Sequence, residues 1–287
     1  MAVTAAVDRL ENSPALDRAA APLSALFGRL LASQRVKDVL HGVWFGHPLH
    51  PALVDVPIGA WTAASVLDLT AGDAPGATVL VAVGLAAAAP AALAGWADWL
   101  DLHEQQQRVG VVHAGLNVLG IGCYATSLAH RLAGHQRRGR LFGLLGFAVL
   151  SAGGYLGGHL AFRQAAGANH TEDVPHLMPS GWVEIGRASE LPDGEPTQRM
   201  AGSVPLFVLR RGHQIWVLAD TCSHLSAPLH EGDLVDEPEP CVVCPWHGST
   251  FRLFDGAVVH GPATAPVPAL QTRVADDRLL VLLEGAG

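Results

Sequence analysis

The sequence predicts two structural regimes in one chain: an N-terminal α-helical transmembrane four-helix bundle and a C-terminal all-β domain. Three observations carry this. Four long apolar stretches follow one another near residues 51–71, 78–100, 109–130 and 141–162. Charged residues make up only 15% of the 287 residues, against about 25% in an ordinary soluble chain. Beyond residue 180 the long apolar runs give way to short strand-like ones. The expected organisation is an N-terminal surface segment over 1–46, the helical domain over 47–163, a linker over 164–180 and the β domain over 181–287.

Within the first segment, Leu16, Ala20, Leu23, Phe27, Leu30 and Leu31 recur at helical spacing, with Arg18, Arg29 and Arg35 among them. That pattern predicts an amphipathic helix lying on the bilayer surface or packed on the bundle. Asp8 and Glu11 precede any apolar run and Pro22 interrupts the next, so no export signal is expected.

Each of the four stretches has about the length needed to cross ~30 Å of hydrocarbon. The last carries no charge, and small residues throughout suit close packing between helices. The first stretch contains Asp55 and Asp68. A carboxylate costs up to ~3 kcal/mol at a helix centre, so Asp68 is expected near an end and Asp55 inside the bundle beside a partner. Four crossings return the chain to its starting side. Arg35, Lys37, Arg108 and Arg163 flank the helices there, against Arg131, Arg137, Arg138 and Arg140 opposite, so the count of basic residues is level. The missing export signal then favours an inner-membrane protein, in contact with the lipid bilayer, whose termini are cytoplasmic.

His50, His113 and His159 fall towards the termini side of the helices. A b-type haem needs two facing imidazoles, and these three are candidate haem ligands; hydrogen-bonded structural histidines are the competing reading. His47, His50 and Asp55 form a possible two-histidine, one-carboxylate iron set. The segment HPLHPALVDVPIG, with the four predicted helices, resembles an uncharacterised bacterial membrane-domain family over roughly residues 41–165. That resemblance implies a membrane location and no known activity.

Residues 164–181 turn polar, with Pro175 and Pro179, and read as a linker. Strand-like runs follow at 182–185, 206–209, 215–218, 241–243, 250–254 and 279–283, with a hairpin signal at Asp255-Gly256.

The four cysteines, Cys123, Cys222, Cys241 and Cys244, do not form a disulfide framework. Cys123 reads as a small buried hydrophobe, and Cys241 as a strand residue. Two loops pair a sulfur with an imidazole: Cys222-Ser223-His224 and Cys244-Pro245-Trp246-His247. Spacing alone allows one zinc ion or a binuclear cluster. The flanks add more. His224, Pro228, Leu229 and Gly232, the run 244–251 and the proline loop 261–263 resemble the Rieske family over about residues 181–285. The resemblance implies a [2Fe–2S] cluster, with Cys222 and Cys244 on one iron and His224 and His247 on the other. Ser226 and Trp246 stand where respiratory members have a disulfide. Ser249 matches a serine that hydrogen-bonds a bridging sulfide. Phe251 replaces a tyrosine that donates to a cysteine sulfur. Keeping one donor and losing the other implies an intermediate or low potential within the range of about −150 to +300 mV.

The expected function is a membrane-anchored one-electron carrier with redox-protein donor and acceptor, with or without a haem b relay. That is an electron-transfer protein or oxidoreductase subunit rather than a stand-alone enzyme. The alternatives are a redox-sensing or transport protein with a regulatory cluster, or the electron-supply component of an oxygenase. A net charge of −8 excludes a nucleic-acid partner.

Overall fold

Among the described residues, four helices are long and apolar enough to cross a membrane: Leu49–Thr70, Pro75–Leu100, Glu104–Leu132 and Gln136–Phe162. The computed structural model describes residues 2–71, 75–236 and 239–284. Part of the expected 72–77 connection and the last three residues of the expected β domain lie outside the described residues. The chain forms two compact units, residues 1–36 with 48–166, and residues 37–47 with 167–287.

In order, the first unit holds α1 (Ala2–Glu11), α2 (Asp17–Leu30), the start of α3 (Gln34–His41), and the long helices α4 (Leu49–Thr70), α5 (Pro75–Leu100), α6 (Glu104–Leu132) and α7 (Gln136–Phe162). Helix α4 packs on α5 and α6 on α7. Contacts of α5 with α6 and of α4 with α7 close the bundle. Trp61 of α4 stacks on Tyr124 of α6 with ring centroids 4.4 Å apart. Gly84 of α5 lies directly against the Trp61 indole, where any Cβ would clash, so only glycine lets these helices approach this closely.

The N-terminal segment packs on the bundle. Val7 is buried with Val109 and Leu156. Arg108 grips the Asp17 carboxylate through Nε at 2.7 Å and Nη2 at 2.9 Å, and His159 meets Glu11 at 2.5 Å.

Asp68 lies in the last turn of α4, as expected, and is buried against Arg131. Asp55 departs from expectation. It is exposed, because residue 55 falls between Val54 and Val56 on the outward side of α4, while Pro57, Ala60, Trp61 and Ala64 line the inward side.

Among the described residues, the second unit holds the end of α3 from Lys37, a four-residue helix α8 (Val174–Leu177), and ten strands. These are β1 (Val183–Arg187), β2 (Thr197–Ala201), β3 (Val204–Arg211), β4 (Gln214–Ala219), β5 (Asp233–Val235), β6 (Cys241–Val243), β7 (Thr250–Arg252), β8 (Val258–His260), β9 (Ala269–Ala275) and β10 (Arg278–Leu282). A six-stranded sheet runs β1-β10-β9-β4-β3-β2, and a four-stranded meander runs β5-β6-β7-β8. Strand β3 reads as a continuous apolar run because both its faces are buried. Leu206 and Val208 enter one core, and Phe207 and Leu209 enter another shared with Val242, Phe251 and Leu253. The stretch read as a linker contributes to the first of these cores through Val174 and Met178, each about 5% exposed.

Candidate metal centre

Two loops of the second unit bring the predicted donors together. The first leaves β4 and returns to β5; the second joins β6 to β7. They repeat one turn. Cys222 N–H donates to the Ala227 carbonyl at 2.8 Å, and Ser226 N–H to the Cys222 carbonyl at 2.9 Å. Cys244 N–H donates to the Ser249 carbonyl at 2.8 Å, and Gly248 N–H to the Cys244 carbonyl at 3.1 Å. The fourth residue after each cysteine has a left-handed backbone, Ser226 at φ 65° and Gly248 at φ 76°. Such a turn wraps the backbone around a side chain. The His224 and Leu225 amides accordingly donate to Cys222 Sγ, and the Trp246 and His247 amides to Cys244 Sγ.

The two sulfurs are buried and hydrogen-bond each other. That bond pushes the Cys222 thiol up and pulls Cys244 down, while burial pushes both up. The His224 and His247 rings stand 5.1 Å apart, centroid to centroid, at 88°. Both ligand loops are tied to the proline loop after β8. Ser249 Oγ accepts the Ala263 N–H at 2.9 Å, and Ser223 O–H donates to the Ala265 carbonyl at 2.6 Å. At the root of the first loop, the buried Asp220 carboxylate accepts the His230 N–H at 2.7 Å and Gln198 Nε2–H at 2.7 Å.

This donor set fits a binuclear iron–sulfur cluster. Paired sulfurs carry backbone N–H donors of the kind that stabilise sulfur-borne charge, and paired imidazoles match the second iron. A single zinc ion needs at least three convergent ligands. Among the described residues no three His, Cys, Asp or Glu side chains converge in that way. Cys241 is a buried strand residue in register with Arg252 and Val235, and Cys123 is buried in α6.

The candidate haem histidines are engaged in hydrogen bonds within the bundle. His113 uses both ring nitrogens, Nδ1 with the Gly153 carbonyl at 2.8 Å and Nε2 with Asn117 Nδ2 at 2.9 Å. His159 Nε2 is taken by Glu11, and His50 Nδ1 meets the Ala91 carbonyl at 2.7 Å. Ligation by His113 or His159 would break a buried hydrogen bond, a cost of about 1–3 kcal/mol per group. Sequence reasoning weighed this structural reading and could not choose it, because the Gly153 and Ala91 carbonyls and the Glu11 carboxylate lie far away in sequence. It missed Asp220 and the repeated turn, although the cysteine-to-Gly248 spacing, equal to that from Cys222 to Ser226, carried a signal.

Fold and site together define an iron–sulfur electron carrier joined to a helical membrane domain. The chain belongs to the Rieske [2Fe-2S] family through residues 181–271, which match the Rieske [2Fe-2S] domain, and residues 46–170 match the predicted membrane protein family DUF2231. It is similar to the anthranilate 1,2-dioxygenase ferredoxin subunit of Burkholderia cepacia, 35% identical over 100 residues, or 35% of this chain and 90% of that protein. Ferredoxin CarAc of Metapseudomonas resinovorans is 31% identical over 101 residues, covering 35% of this chain and 92% of that one. Among solved structures, the ferredoxin of carbazole 1,9a-dioxygenase from Nocardioides aromaticivorans IC177 matches 37% of this chain and 100% of its own, at 28% identity and a TM-score of 0.34. The C-terminal domain therefore holds a [2Fe–2S] cluster and serves electron transfer with a redox partner, in a chain associated with a membrane.

Proposed function

We propose that this protein is a membrane-anchored one-electron carrier in which Cys222 and Cys244 hold one iron and His224 and His247 the other. The repeated turn, with its two buried sulfurs and facing imidazoles, is the observation that carries the reading. When bound, the cluster supplies reversible uptake of one electron. The chain's residues do the rest. Four backbone amides hold the sulfurs, Leu229 and Phe251 exclude water beneath them, and the half-exposed Trp246 beside His247 offers a contact for a redox protein. Ferredoxin subunits of dioxygenases are among the chain's relatives, which favours an oxygenase-type acceptor.

The four helices serve as the anchor in the inner membrane, without a haem relay. Residues 37–47 and 167–287 share one unit yet flank the bundle on both sides in sequence, which supports an even number of crossings. With Arg131 buried against Asp68 and Arg108 largely buried against Asp17, the remaining flanking cations, Arg35, Lys37 and Arg163 against Arg137, Arg138 and Arg140, stay level. The reading places the cluster domain in the cytoplasm.

Electron paramagnetic resonance of the detergent-purified protein tests the reading. A Rieske-type signal that appears on dithionite reduction and is lost in Cys222→Ser and His247→Ala is expected, with no low-spin haem signal before reduction. A fully metallated protein silent in both states would overturn it in favour of zinc.

A further inference from the structure

The sequence before the first long helix returns to the cluster domain. Asp38, in the last two turns of α3, accepts the Gly261 N–H on Oδ1 at 3.0 Å and meets His260 Nδ1 through Oδ2 at 2.9 Å. These partners are 223 and 222 residues away in sequence. His41 is 1% exposed, and a Cβ at residue 261 would sit 3.2 Å from His41 Cδ2 and 3.1 Å from Val43 Cγ2. Gly261 therefore lies under a strap of residues 38–43, with no side chain between strap and loop. That strap is outside the Rieske match at 181–271.

Hydrogen bonds carry the contact onward. Gly261 begins the proline loop. Two residues on, the buried Ala263 donates its N–H to Ser249 Oγ at 2.9 Å, and the Ser249 carbonyl accepts the Cys244 N–H at 2.8 Å. Asp38, Gly261, Ala263, Ser249 and Cys244 thus form one connected path from the N-terminal flank to the sulfur loop. A serine hydroxyl that accepts from Ala263 has its own proton directed elsewhere, and the angle of that proton depends on where the loop holds Ala263.

We propose that Asp38 is a positioning residue for the cluster: it clamps the proline loop, and the loop sets Ser249 and with it the redox potential. The inference rests on the ligand assignment made above. The strap extends what a free ferredoxin domain does, because residues 37–47 of this chain complete the cover over its own cluster loop.

The test compares Asp38→Ala with Asp38→Asn in the full-length protein. Both remove the same charge, but asparagine keeps an acceptor for the Gly261 N–H. Hydrogen exchange across residues 258–265 is expected to be at least tenfold faster in Asp38→Ala than in Asp38→Asn. The midpoint potential of Asp38→Ala should lie below that of Asp38→Asn, in the direction of Ser249→Ala. In a Ser249→Ala background the two Asp38 variants should share one potential, since the path is then already cut. Equal exchange and equal potentials in the two single variants would overturn the proposal. If Asp38→Ala does not accumulate, Asp38→Asn against wild type decides. Severalfold faster exchange is expected for loss of the charge-assisted bond, and identical exchange overturns the proposal. A wild-type protein without the Rieske signal would refute the ligand assignment, and the exchange comparison would still judge the strap.

Discussion

Asp68 and Arg131 form an ion pair at 2.5 Å between the end of α4 and the end of α6, with each side chain about 1% exposed. Arg131 Nε also donates to Ser127 Oγ at 3.1 Å, whose hydroxyl donates to the Gly139 carbonyl at 2.6 Å. One buried network thereby joins three of the four long helices at one end of the bundle.

Removing one partner strands a buried charge. Asp68→Ala or Arg131→Ala should each lower stability by about 3–5 kcal/mol, whereas replacing both with apolar residues of similar volume should recover much of the loss. Thermal unfolding in detergent reads this out. A double variant, Asp68→Leu with Arg131→Met, that is no more stable than either single variant would count against a mainly electrostatic role.

Ser249 is fully buried, with its oxygen occupied by the Ala263 amide. Its proton is the group available to the cluster. Ser249→Ala should lower the midpoint potential, since a hydrogen bond to sulfur favours the reduced, more negative state. A bond worth about 1 kcal/mol corresponds to about 40 mV for one electron. A redox titration that finds the midpoint unchanged removes Ser249 from the centre.

The two sulfur loops share a turn but not its residue at the left-handed position. Gly248 adopts φ 76° freely, whereas Ser226 adopts φ 65° against the usual steric preference. Ser226 is exposed, so its side chain has little packing to lose. Ser226→Gly should stabilise the cluster domain by about 0.5–1 kcal/mol once glycine's extra chain entropy is subtracted. Chemical denaturation followed by the cluster's visible absorbance measures this, and a destabilised variant would show that the serine hydroxyl has a further role.

Asp277 closes the turn between β9 and β10. Its carboxylate accepts the Ser189 hydroxyl at 2.6 Å and the Ser189 N–H at 2.9 Å, and these bonds, the hydroxyl first, hold its pKa below the usual 3.8. A depressed carboxyl stabilises the fold fully above its unfolded value, and that contribution fades as pH falls through the folded one. Ser189→Ala should therefore be less stable than wild type at pH 6, with the gap narrowing near pH 3. Urea unfolding at the two values checks it; a gap of the same size at both would rule the linkage out.

Much of this was legible in the residues. Hydrocarbon length and composition are properties of consecutive residues, so all four long helices could be read directly, and the loops containing Cys222, His224, Cys244 and His247 were visible as motifs. Strands β3, β4 and β10 showed because buried strands are apolar. Strands β2 and β9 did not, because sequences such as Thr197-Gln198-Arg199-Met200-Ala201 expose alternate polar side chains and look like loop.

The sequence by itself determined the membrane-length helices, the donor residues and the family they resemble, since each depends on local pattern. Only the tertiary structure decided that Asp55 faces outward while Asp68 finds Arg131, that both nitrogens of His113 and Nε2 of His159 go to hydrogen bonds, and that Asp38 reaches Gly261. Those outcomes depend on which groups meet across tens to hundreds of residues. A buried charge or polar atom takes whatever partner packing brings within about 3 Å, and no periodicity along the chain encodes that distance.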